Sequence, residues 1–111
     1  MGKKYLRKNE FRFDTNPKHF GASDKPHPAY ISARYGHKYK ANSITHSRVV
    51  DGFNNLDIME NPNKKSRDKR FTRVSPPYWQ KDNLFSDETI PNFRFSKKSR
   101  KRISKFNKKF K

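Results

Sequence analysis

The most constraining feature of this chain is the stretch Ala29 to His46, "AYISARYGHKYKANSITH", in which two alternating runs flank a two-residue connection. Ala29, Ile31, Ala33 and Tyr35 alternate with Tyr30, Ser32 and Arg34; in the second run Tyr39, Ala41, Ser43 and Thr45 share one face and Ile44 lies on the other. Side chains of a strand point to opposite sides with period two, so each run reads as a strand. Gly36-His37 puts glycine in the first central place of the connection, the preference of a type II′ hairpin turn. The lead-in Pro26-His27-Pro28 cannot be helical. A β-hairpin is therefore predicted as the nucleus of the fold.

Little apolar material is available to cover it. Leu, Ile, Val and Phe together number 21 of 111 residues, which with the high charge lies at the compositional border of disorder. Ten Phe, five Tyr and Trp79 compensate, since each can bury roughly 150–250 Å². After the hairpin, Asp51-Gly52, Asn54-Asn55 and Asn61-Pro62-Asn63 read as turns, and Leu56, Ile58 and Met59 as core plugs from a loop or short edge segment. A third strand is predicted over Arg70 to Ser75, ended by Pro76-Pro77. Tyr78 to Asn92 reads as irregular, with one helical turn at Ser86-Asp87-Glu88 and a stop at Pro91. In the tail "FSKKSRKRISKFNKKFK", Ser96 suits an N-cap, and Ile103, Phe106 and Phe110 fall on one helical face. The predicted fold class is α+β or mostly β. A small antiparallel sheet built on the hairpin occupies residues 27–95, a flexible basic arm precedes it at 1–26, and a basic amphipathic helix follows at 96–111.

Charge points to the partner. The formal net charge is +18, from 28 Lys and Arg against 10 Asp and Glu. Residues 27–60 carry four basic against three acidic side chains, whereas 61–83 carry seven against two and 84–111 carry ten against two. The near-neutral segment is the expected core. The basic ones are the expected contact surface, because Lys and Arg that replace the counterions condensed on phosphate relieve their own repulsion. Nucleic acid is the expected partner, bound by Lys64, Lys65, Arg67, Lys69, Arg70 and Arg73 in a loop and by Lys97, Lys98, Arg100, Lys101, Arg102 and Lys105 in the tail. Tyr30, Tyr35, Tyr39 and Trp79 could stack on bases or fill the core.

Other classes are set aside. There is no cysteine, so disulfides, thiolate nucleophiles and cysteine-type zinc sites are excluded. The four histidines lack the acidic neighbours of a metal site, no glycine-rich phosphate loop is present, and no acidic cluster suggests two-metal nuclease chemistry. No cofactor is expected. The opening MGKKYLRKNEF lacks the apolar core of a signal peptide and no run has the apolar length of a membrane span, so a cytoplasmic protein with no membrane partner is expected.

One stretch could carry chemistry. Ile44-Thr45-His46-Ser47-Arg48 places an imidazole, two hydroxyls and a guanidinium together at the end of the predicted hairpin. Metal-free RNA cleavage needs a base near the 2′-hydroxyl, an acid near the leaving oxygen and a cation on the phosphate. His46 suits proton transfer, Arg48 suits the phosphate, and His27 or Tyr78 could be the second proton-transfer group. RNA is thereby favoured over DNA. The alternative is that this stretch is the polar end of a strand in a non-enzymatic RNA-binding or ribosome-associated structural protein.

His27-Pro28 with Tyr30, Gly36 with Lys38 and Tyr39, Ile44-Thr45-His46-Ser47, and Leu56 with Asn61-Pro62 resemble a group of small basic proteins carried by phages, plasmids and other mobile elements of low-GC Gram-positive bacteria. The similarity covers residues 27–74 and implies a setting more than an activity. At the level of architecture the chain is also similar to compact RNases of the RelE, barnase and colicin type, in which a small twisted sheet carries catalytic side chains at its strand ends. That likeness implies a toxin-like ribonuclease with His46 and Arg48 in its site, and an acidic antitoxin or other masking protein as a further partner.

Overall fold

The computed structural model describes residues 9–16, 27–45, 49–50, 53–64 and 72–110. In chain order the elements are β1 (Phe11–Asp14), β2 (His27–Tyr35), β3 (Lys38–Thr45), β4 (Val49–Val50), β5 (Phe53–Asn54), β6 (Leu56–Ile58), β7 (Thr72–Val74), β8 (Tyr78–Lys81), a 3₁₀ turn at Asp82–Leu84, and α1 (Lys97–Asn107). Six strands form one antiparallel sheet in the order β1-β2-β3-β7-β6, with β8 also pairing β3; β4 and β5 form a separate two-stranded ladder. The fold is α+β, a small antiparallel sheet with one C-terminal helix.

The hairpin is its centre. Tyr35 lies opposite Lys38 across the Gly36-His37 loop. Gly36 has φ +61° while His37 does not take positive φ, the φ pattern of a type II′ turn. Strict alternation, however, does not survive along β2. Ile31 pairs with Ala41 but Ala33 with Lys40, so Ser32 is the extra residue of a β-bulge. Past a bulge the remaining residues change faces. Ala33 and Tyr35 therefore share a face with Lys38 and Lys40, not with Ile31 and Tyr39.

Several boundaries differ from the sequence reading, among them the end of the helix, which falls at Asn107 and leaves Phe110 beyond α1. Residues 9–16 are part of the sheet: β1 pairs β2 along its whole length, and Phe11 is buried in the core. The rest of the predicted arm, residues 1–8 and 17–26, lies outside the described residues. Pro76-Pro77 ends β7 but not the pairing, because β8 resumes against Lys38–Ala41. Proline lacks the N–H a ladder needs, and Ser75 bridges the gap, donating N–H to the Ser43 carbonyl at 2.9 Å and accepting from the Ser43 N–H on Oγ at 2.9 Å. The helical turn falls at Asp82–Leu84, ahead of Ser86.

Both faces of the sheet are covered. On one face Phe11, Tyr30, Ile58, Val74, Ile90, Phe95 and Ile103 form the main core. Aromatic edges interlock there: the Phe11 ring centroid is 5.0 Å from Phe95 and 5.4 Å from Tyr30. Ile103 brings α1 onto this face. On the other face Ala29, Ile31, Tyr39, Ala41 and Phe85 form a smaller cluster. Asp14 is buried beside it, accepting from Tyr78 at 2.8 Å and from Gln80 at 3.0 Å, which ties β8 to β1. Ile58 is buried and Leu56 half-buried on β6, as core plugs, but Met59 is exposed.

Candidate nucleic-acid interface

The position of α1 follows from polar contacts the apolar pattern does not contain. The Ser96 Oγ caps the helix, accepting from the Ser99 N–H at 3.2 Å. Further along, Asn107 is buried and exchanges amide hydrogen bonds with buried Asn42 on β3, at 2.8 and 3.2 Å. Asn42 also donates to the Ser75 carbonyl at 2.9 Å. A buried amide without these partners would cost about 1–3 kcal/mol, so the pair fixes the helix against the sheet. The buried stripe of α1 is Ser99, Ile103 and Asn107, with Phe106 packed beside it.

That placement leaves a groove of about 530 Å³ between α1 and the hairpin. Tyr30, Ser32, Ala33 and Asn107 are among the residues forming its walls, and Lys40, Lys97, Arg100, Lys101 and Lys108 bring positive charge to it. Lys97, Lys101 and Lys108 lie at i, i+4 and i+11, one side of the helix. The bulge at Ser32 sets Ser32 and Ala33 beside Lys40, and all three line the groove. The Tyr30 hydroxyl donates to the Asn9 side chain; burial pushes its pKa up to about 12, with Arg100 pulling against that.

No acidic side chain lines the groove, and none of its five cations forms an ion pair among the described residues. Three carboxylates are paired elsewhere: Glu10 with Arg12 at 2.8 Å, Glu60 with Lys64 at 2.9 Å, and Asp57 with Arg73 at 3.7 Å. Among the described residues, the cations Lys64 and Arg73 on the β6–β7 side are thus paired, whereas those between helix and hairpin are not.

Comparison of the chain with protein-family models, with curated proteins and with solved structures finds no match.

The predicted site residues separate into groups. Of the tail residues, Lys97, Arg100 and Lys101 line the groove, while Lys98, Arg102 and Lys105 lie off it. Of the loop residues, Lys64 and Arg73 are paired with Glu60 and Asp57; Lys65, Arg67, Lys69 and Arg70 lie outside the described residues, as do His46 and Arg48. The His27 Nε2 bonds the Ile44 carbonyl, so Nε2 carries the proton and holds β2 to β3. Tyr78 is held well above the ordinary phenol range by burial and by the Asp14 carboxylate that accepts its hydrogen bond. Neither lines the groove. Among the described residues no group of three His, Asp or Glu could hold a metal ion, and no helix is long and apolar enough to cross a membrane.

Lys40 and Lys108 were missed. The signal for Lys108 is its spacing from Lys97 and Lys101, legible once the buried stripe is known to include Asn107. For Lys40 nothing in the local pattern is informative, because the bulge and the return of β8 decide what surrounds it. The aromatic candidates divide as well: Tyr30 and Tyr39 are core, whereas Tyr35 is 80% and Trp79 50% exposed.

Proposed function

We propose that this protein binds nucleic acid, RNA in the first place, by holding phosphates in the groove between α1 and the hairpin. One observation carries the reading: among the described residues five cations converge there with no carboxylate between them. Concentrated like charge destabilises a free protein and favours any ligand that lets it exchange repulsion for phosphate contact. Release of condensed counterions then supplies affinity without sequence reading. A cytoplasmic location fits such a partner, and a mobile element is the setting its sequence resemblance implies. With His27 and Tyr78 engaged in the sheet, binding rather than cleavage is the function the described residues favour.

The test is the salt dependence of binding to a fluorescein-labelled RNA, read by anisotropy. Replacing Lys40, Arg100 and Lys101 with Gln should weaken binding and flatten the slope of log K against log salt by about 0.7–0.9 for each phosphate contact removed. Replacing Lys98 and Lys105, on other sides of the helix, should change the slope less. Equal effects from both sets would mean that the groove is not the site and that charge acts diffusely.

A further inference from the structure

The groove does not end at the helix. Lys40 belongs to its wall and also stands 5.9 Å from the centroid of the Trp79 ring on β8. Directly paired residues of antiparallel strands point to the same side, so the cross-strand register extends the surface. Lys40 pairs with Ala33 on β2 and with Trp79 on β8, and Lys38 pairs with Tyr35 and with Lys81. Two rows result on the groove side of the sheet, Ala33-Lys40-Trp79 and Tyr35-Lys38-Lys81.

This surface has the composition of a base-stacking platform. Trp79 and Tyr35 are the two most exposed large aromatics of the described residues, at 50% and 80%. In a chain so poor in Leu, Ile and Val that its core is built from aromatic rings, two rings left in water on one face mark a surface with a use of its own. They sit on opposite flanks of β3, one row apart, which strand geometry places about 12 Å from each other. Three lysines lie between and beside them. At 5.9 Å Lys40 is at the outer limit of a cation–π contact, so it can turn to a phosphate with little loss to the ring.

We propose that the ligand of the groove is single-stranded, with bases stacked on Trp79 and Tyr35 and its backbone running over Lys38, Lys40 and Lys81 into the helix–hairpin groove. This rests on the phosphate-binding reading and adds the strandedness of the ligand. A duplex hides its base faces and could use the lysines alone. A single strand offers both phosphates and faces, and every base has a face to stack, so the platform implies little sequence preference.

Trp79 is the sole tryptophan, which makes the test direct. The full-length protein is titrated with unlabelled oligo(U) and with an RNA duplex of equal phosphate count, following tryptophan fluorescence and competing each against a labelled strand. The expected results are quenching by the single strand, at least tenfold preference for it over the duplex, and loss of about 5- to 100-fold in single-strand affinity for Trp79→Ala. The salt slope should stay at the wild-type value in that variant, because stacking releases no counterions. Trp79→Phe should recover much of the loss. Tyr35→Ala, at a more exposed position, should reproduce the effect in a smaller degree and serves if Trp79→Ala does not fold. Equal affinity for duplex and single strand, with Trp79→Ala and Tyr35→Ala harmless, would overturn the platform while leaving a salt-dependent groove standing. Absence of binding to either nucleic acid would overturn both readings.

Discussion

At the start of α1 the first turn offers Lys97 and Lys98 where the helix dipole favours an anion. Glu60, which follows β6, corrects that mismatch from outside the helix. Its Oε1 accepts from the Ser96 N–H at 2.9 Å, from the Ser96 hydroxyl at 2.7 Å and from the Ser99 hydroxyl, and its Oε2 from Lys64 at 2.9 Å. Partial burial pushes the Glu60 pKa up, but the hydrogen bonds from Ser99, Ser96 and Lys64 together outweigh it and bring the value down to about 2. A carboxyl lowered in the folded state binds protons more weakly there than when unfolded, so its contribution is complete above the ordinary 4.5 and fades as pH falls toward 2. At pH 7 the change Glu60→Gln should cost about 1–2 kcal/mol in urea unfolding. Between pH 4.5 and 2 the wild type should lose stability faster than the variant, until the two differ little. Parallel acid profiles would show that Glu60 does not hold the helix by its charge.

Among the elements, the hairpin was the most legible, because its two signals are local: a period of two and a glycine in the turn. The turn carries its own prediction. A Cβ on Gly36 would meet nothing within 4 Å, so the penalty of Gly36→Ala is that of the positive φ alone, about 1 kcal/mol. His37→Ala should stay within about 0.5 kcal/mol, since an exposed His37–Asp82 pair at 3.6 Å is worth little. Thermal unfolding of both variants checks this, and a neutral Gly36→Ala would mean that the turn is built differently. The helix was legible too, from Ser96 and the Ile103, Phe106 spacing, although Phe110, read on the same face, lies beyond its end. What escaped was non-local. A one-residue bulge at Ser32 leaves the alternating pattern intact to the eye while exchanging the faces of Ala33 and Tyr35. Pro76-Pro77 signals a strand end, and only the partner strand reveals that pairing resumes. Phe11 and Phe13 lie among seven basic residues of the segment 1–26, so their local composition reads as an arm although β1 is in the sheet. The candidate site was half legible for the same reason. Its charge could be read from the tail, but which lysines face the groove depends on Asn107 and Ser99, polar residues that a helical pattern assigns to solvent and that tertiary hydrogen bonds bury.

For the whole molecule, a net charge of +18 on 111 residues sets binding against stability. The five groove cations are held near one another by helix and sheet, with no carboxylate among the described residues lining the groove to offset them, so in the free protein they repel. Salt should relieve this. Raising ionic strength from about 0.02 M to about 0.3 M shortens the Debye length from roughly 20 Å to roughly 6 Å. The thermal midpoint should rise by about 5 °C, corresponding to about 1 kcal/mol in a domain of this size. Lys101→Gln should raise the low-salt midpoint and reduce the further gain from salt, while weakening RNA binding. A polyanion at low salt should stabilise the wild type beyond what salt achieves, and that excess should vanish as salt competes for the same contacts. If the midpoint instead falls with salt, the Glu60–Lys64 and Arg12–Glu10 pairs outweigh the repulsion, and the groove cations are not under electrostatic strain. If it rises while Lys101→Gln leaves it unmoved, the repulsion lies elsewhere on the surface, and the lysines of this groove are not poised for phosphate.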